Sequence, residues 1–246
     1  MRRLFALPLL ASIALVACGG SDSADSAEET TTAAPTETAA PSASEQADAA
    51  PASERVVAAP EGSQAGNAMV LGSPDAPVKI IEYASVVCPA CAYFHTEVLS
   101  GVRADYIDTG KVSIEFREFP TNPQNLAYAG FYLARCAATQ KGSPAYFKML
   151  GTLFERQREW AYGPTPGAVL ENIAAQAGIN REGLEECFYR EDVKSAVKAN
   201  IVSGHEEFEV SKTPTLFIDG EEISWGKSAE EFAEILDAEL AKKAEQ

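Results

Sequence analysis

Cys88-Pro89-Ala90-Cys91 directly follows the run Val78-Lys79-Ile80-Ile81-Glu82-Tyr83, and this junction constrains the fold more than any other feature of the chain. The run is rich in β-branched residues and reads as a buried strand. Beyond Pro89, the positions Phe94, Val98, Leu99, Val102 and Tyr106 make one apolar helical stripe that Gly110 closes. Residues 111–117 then alternate as a second strand. Strand, helix and strand at this spacing imply parallel pairing through a right-handed crossover. Cys88 would end a strand and open a helix, with Pro89 at the first helical position. Unpaired backbone N–H groups and the helix dipole there favour negative charge. A thiolate at Cys88 is therefore stabilised, and thiolates are the nucleophiles of disulfide exchange. Cys91, on the same helical turn, is placed to attack a mixed disulfide formed at Cys88.

From about 125 to 209 the period is helical, broken near Gly142, Pro144, Gly163 to Gly167 and Gly178. Thr215-Leu216-Phe217-Ile218 reads as a strand, Asp219-Gly220 as a hairpin turn and residues 222–225 as its return. Ser228 and Glu231 match a capping box for a last helix burying Phe232, Ile235, Leu236 and Leu240. The fold class is α/β: a βαβ half and a ββα half flank a helical insertion.

Upstream, Met1-Arg2-Arg3 precedes the apolar run from Leu4 to Val16. That run is shorter than the roughly 20 residues of a membrane-spanning helix and suits a secretory signal. Leu15-Val16-Ala17-Cys18-Gly19 resembles the lipobox of bacterial lipoproteins. The resemblance implies removal of residues 1–17 and lipidation of Cys18; the alternative is an ordinary signal peptide with an incidental cysteine. Residues 18–66, dominated by Ala, Ser, Thr, Pro and acids, read as a disordered, self-repelling tether. The domain is expected over 67–246, in the cell envelope, lipid-anchored and facing the periplasm or extracytoplasmic space. A formal net charge of −16 argues against nucleic acid as a partner.

Of the five cysteines, Cys18 goes to lipid and Cys88 pairs with Cys91. An exported chain then leaves Cys136 and Cys187 for a structural bridge, contributing roughly 4 kcal/mol by loop closure. The alternative is two unpaired buried thiols.

Ile81-Glu82-Tyr83-Ala84-Ser85-Val86-Val87-Cys88-Pro89-Ala90-Cys91, the helical insertion, and Lys212-Thr213-Pro214-Thr215-Leu216-Phe217-Ile218-Asp219-Gly220 together resemble the DsbA-like branch of the thioredoxin superfamily. The resemblance implies a thioredoxin-like fold and a protein-disulfide oxidoreductase without cofactor or metal. It also implies a cis Thr213-Pro214 bond against the dithiol, offering backbone hydrogen bonds to an extended substrate. Glu82 matches the buried acid that takes the proton of the resolving thiol. Partners would be protein thiols and disulfides, and a membrane redox partner. Two positions depart from the oxidising members: Ala90 replaces their His, and Thr213 replaces a Val. The first removes a charge-assisted contact to the thiolate, so both directions stay open, disulfide donor or a reductase/isomerase fed by a membrane electron donor.

Other residues carry weaker signals. His95, one turn after Cys91, either tunes the site or is a polar helix position. His205 lies in a charged run with Glu206 and Glu207, and Trp160 and Tyr162 read as a packed loop that could edge a substrate groove. A tethered binding or metal-binding module is the remaining class, but a zinc ribbon needs a second Cys-x-x-Cys.

Overall fold

The computed structural model describes residues 56–245. Cys18, the signal segment and most of the tether fall outside the described residues. Among the described residues five strands form one sheet in the order β1-β3-β2-β4-β5. The strands are β1 (Met69–Leu71), β2 (Val78–Ala84), β3 (Val112–Glu118), β4 (Thr215–Ile218) and β5 (Glu221–Ile223). β2 lies at the centre, parallel to β3 and antiparallel to β4. The β2–β3 pair is the expected βαβ unit, and β4, β5 and the last helix, α9 (Ala229–Ala244), form the ββα half. Asp219 and Gly220 take φ of 53° and 84°, the left-handed pair that a two-residue hairpin turn requires. β1, antiparallel to β3, has no counterpart in the sequence reading. Three residues are too few to show a period.

The helix that follows Cys88 is not uniform. It runs as α1 (Pro89–Tyr93), a π-helical turn (Phe94–Leu99), α2 (Ser100–Val102) and a second π-helical turn (Arg103–Ile107). The apolar stripe explains the mixture. Positions 94, 98, 102 and 106 recur every four residues, which in a pure α-helix would drift by about 40° per step. Wider π turns take up the excess, so Phe94, Val98, Val102 and Tyr106 all stay buried against the sheet.

This run and α9 cover one face, where Ile80, Ile114, Leu216 and Ile218 meet Phe94, Phe232 and Leu236. Ser228 caps α9 through Glu231 N–H at 3.2 Å, while the Glu231 carboxylate accepts from Lys227 N–H at 2.7 Å. Phe232 and Leu236 are fully buried, but Ile235 and Leu240, expected inside, are half-buried. The inserted helices are α3 (Gln124–Ala137), α4 (Ser143–Glu155), α5 (Gln157–Trp160), α6 (Pro166–Gln176), α7 (Arg181–Phe188) and α8 (Glu191–Glu206). They build the largest core around Phe131, Tyr146, Leu153 and Trp160, and that core reaches Val86, Val87 and Cys91.

The boundary expected at residue 67 moves upstream, because residues 57–66 dock on the inserted helices. Val57 exchanges backbone hydrogen bonds with Tyr189 and Glu191, and Gln64 N–H reaches the Thr139 carbonyl at 3.0 Å. Ala65 is fully buried. Arg190 donates to Ser63, and Arg135 to the carbonyls of Ala65 and Asn67. Backbone partners of this kind are invisible to composition, so a polar, small-residue stretch reads as unstructured although its last part is held.

Candidate active site

Cys88 stands where the end of β2 turns into α1. It is the N-cap in extended conformation (φ −81°, ψ 122°), with Pro89 first in the helix. Cys88 is half-buried, Pro89 and Ala90 are exposed, and Cys91 faces inward and is fully buried. Both thiols are free. The difference in burial sets their chemistry apart. Hydrogen bonding from Cys91, then from Thr213 and the helix-start amides of Cys91 and Ala90, outweighs desolvation and lowers the Cys88 pKa to about 5. Burial pushes Cys91 well above the usual thiol range, reinforced by hydrogen bonding to Cys88 and by the Cys88 and Glu82 charges. The helix-terminus argument therefore acts on one sulfur only.

Thr213 approaches from the other end of the chain. The Thr213-Pro214 peptide bond is cis, and the Cys88 thiol donates to the Thr213 carbonyl at 3.4 Å. That contact belongs to the protonated thiol, whereas the Thr213 side chain favours the thiolate. Beside Pro214 lies a cavity of about 290 Å³ lined by Lys212, Thr215, Glu222 and Trp225. Tyr93, 46% exposed, donates to the Lys227 carbonyl at 2.9 Å. A second cis bond, Asn122-Pro123, precedes α3.

Residues distant in sequence hold the loop before the dithiol. The buried Gln157 donates from one amide nitrogen to the carbonyls of Val86, at 2.8 Å, and Cys88, at 3.0 Å. The Tyr162 hydroxyl donates to the Val87 carbonyl. Trp160 is fully buried and donates to the Leu153 carbonyl at 2.7 Å, so it supports this loop rather than edging a groove. Gln157 carried no signal in the sequence, because a glutamine amid Arg and Glu looks like ordinary helix surface.

Glu82, on β2, has no solvent exposure, and its two carboxylate oxygens lie 3.0 and 3.1 Å from His95 Nε2. His95 stacks on Phe154 at 4.4 Å and meets Phe116 edge-on. The structure thus brings together Glu82, Cys88, Cys91, His95, Thr213 and Pro214. It keeps the other candidates apart: Cys136 and Cys187 are bonded to each other beneath the docked segment, and His205 packs against Phe119 at 4.7 Å. Among the described residues no group of three His, Cys, Asp or Glu side chains converges as a cation would need.

Comparison with known proteins agrees with this geometry. The family model described as thioredoxin matches residues 64–238. A Rickettsia typhi protein, provisionally named a protein-disulfide oxidoreductase, is 31% identical over 155 residues, covering 63% of this chain and 55% of the relative. The chain thus spans about half the length of such relatives. Disulfide bond formation protein D of Bacillus subtilis is 26% identical over 178 residues, 71% of this chain and 78% of that one. Among solved structures, Wolbachia pipientis α-DsbA1 superposes with a TM-score of 0.64 at 25% identity, over 72% of this chain and 93% of its own. Oxidised BdbD of Bacillus subtilis shares the fold, with a TM-score of 0.60, over 76% of this chain and 99% of its own, at 24% identity. With the family match spanning both the dithiol and the Thr213-Pro214 loop, this chain belongs to the thioredoxin family, in its DsbA-like branch.

Proposed function

We propose that the chain is an exported thiol–disulfide oxidoreductase that forms disulfides in folding proteins through Cys88 and Cys91. The observation that carries this reading is the asymmetry of the dithiol. Cys88, half-exposed with its pKa lowered to about 5, is the sulfur a client can reach. Cys91, buried and raised, is the sulfur that resolves. Stabilising the Cys88 thiolate stabilises the reduced protein relative to its disulfide, which makes the pair a better oxidant. Thr213 and Pro214 would bind the extended client beside Cys88, and Glu82 would exchange a proton with Cys91. The Cys136–Cys187 bond accords with an oxidising compartment. Lipidation at Cys18, an envelope location and a membrane redox partner belong to the same proposal.

The test is the reduction potential of the dithiol against glutathione. A value near −120 mV, where DsbA lies, supports a disulfide donor. A value near −270 mV, where thioredoxin lies, reverses the direction to a reductase with an electron supply. Ala90 and Thr213 are the features that favour this second outcome, because the site lacks the charge-assisted contact of the oxidising members.

A further inference from the structure

Resolution of a mixed disulfide needs a proton to leave a place that water does not reach. Cys91 and Glu82 are both fully buried. If Glu82 accepts the Cys91 proton, the carboxylic acid must itself be emptied before the next turnover. The hydrogen-bond partner the structure gives Glu82 is His95, and His95 is also where this buried pair meets the surface. Its side chain keeps 9% exposure and lines a cavity of about 310 Å³ whose other walls include Ser100, Arg103 and Glu155. His95 belongs to the π-helical turn Phe94–Leu99, an element that often marks functional positions in helices. Stacking on Phe154 and the edge of Phe116 hold the ring with Nε2 toward the carboxylate.

We infer that His95 is a positioning residue that relays the proton of the resolving thiol between Glu82 and solvent. This rests on the reading of Cys88–Cys91 as an exchange site. In resolution, the Cys91 S–H bond breaks and its proton goes to a Glu82 oxygen. The Cys91 sulfur forms a bond to Cys88 Sγ, and the client sulfur leaves as a thiolate with the electron pair of the broken S–S bond. The dithiol is oxidised and the client reduced. Glu82 then passes its proton to His95 Nε2, and the imidazolium releases one into the cavity. In the opposite direction a client thiolate attacks Cys88 Sγ, and Cys91 leaves with the electron pair. Cys91 then takes its proton from Glu82, which His95 refills.

Among the described residues, the charged and titratable groups around the pair come from the elements packed on it. β2 supplies Glu82, α1 supplies Cys91 and Cys88, and α4 supplies Tyr146, which feels the Glu82 charge, and Glu155. The second π turn supplies Arg103; α9 presents the apolar Phe232 to the neighbouring Phe94.

The test separates two steps on the reduced full-length chain, with glutathione disulfide as probe. The first step, attack by Cys88, is followed by release of one glutathione; the second, attack by Cys91, releases the other. His95→Gln keeps a donor for Glu82 but does not titrate. The first step is expected to stay within about twofold, while the second slows about tenfold or more and changes its pH profile. Adding His95→Gln to Glu82→Gln should slow the second step no further, since the two act in series. In His95→Ala, imidazole should restore the second step and the similarly shaped, weakly basic 1,2,4-triazole should not. A second step that keeps its rate and pH profile in His95→Gln overturns the relay, as does equal rescue by both compounds. If the unaltered chain forms no mixed disulfide at Cys88, the first step itself is missing, and the exchange-site reading falls together with the relay.

Discussion

The Cys88 sulfur lies 3.4 Å from the carbonyl oxygen of Thr213, a residue 125 positions further along the chain. One contact thus joins the βαβ half to the ββα half at the point where a client would enter. The carbonyl contact belongs to the protonated thiol, while the Cys91 and Thr213 side chains and the helix-start amides of Cys91 and Ala90 favour the thiolate.

Cys88 should titrate near pH 5, read as thiolate absorbance or as the pH profile of alkylation. Because Cys91 is the largest cause of the lowered value, Cys91→Ala should move the midpoint upward. The sign for stability follows from the depressed pKa. The contribution is fully present above the unfolded thiol's value, near 8.5, and is lost as pH falls through about 5. Denaturation of reduced and oxidised protein should therefore show the reduced form gaining relative stability from about pH 5 to 9. A flat difference across that range would contradict the assignment.

Glu118 and Arg135 form a fully buried ion pair, at 2.6 and 2.9 Å, completed by the Tyr146 hydroxyl and the Asn200 amide. Burial opposes the Glu118 charge, but Arg135, a backbone hydrogen bond and Asn200 together outweigh it and hold the carboxyl below its usual range. Arg135→Met leaves that charge unpaired and should cost about 3–5 kcal/mol in urea unfolding. The double variant Glu118→Leu/Arg135→Met should recover much of the loss. Acid should weaken the unaltered chain as pH falls through the lowered Glu118 value, and the double variant should lack that component.

Replacing both Cys136 and Cys187 with serine should cost about 4 kcal/mol, from the 51-residue separation that the bond closes. Alkylation of Cys88 should keep its midpoint, since the two sulfur pairs lie in different parts of the core. A shifted Cys88 midpoint would show that the insertion transmits strain to the dithiol.

Gln157→Leu removes the donor to both Val86 and Cys88 carbonyls and should destabilise the chain by about 1–3 kcal/mol. Amide exchange should quicken first in residues 85–88, the segment whose carbonyls lose their partner. Protection unchanged there would mean that Tyr162 alone holds the loop.

Much of the site was legible in the residues because its logic is local. The strand before Cys88, Pro89 at the helix start and the Asp219-Gly220 turn each follow from a few neighbouring residues. So did the position of Cys88 at the start of a helix. The π turns were not legible, since an apolar repeat of four fits a helix period until the sheet demands that every position face it. The docked residues 57–66 were not legible either: Ala65 is held by Arg135, 70 positions away, through a carbonyl that composition does not describe.

The sequence by itself determined the βαβ and ββα halves and the placement of Cys88 and Cys91 at a helix start, because period, turn chemistry and helix-start geometry act over a few residues. Only the tertiary structure decided which partners complete the site. Gln157 beneath Val86, Thr213 against Cys88 and His95 against Glu82 are side-chain meetings across separate elements. Buried polar groups must find such partners to offset their desolvation, and which partner is within reach depends on how the helices pack over the sheet.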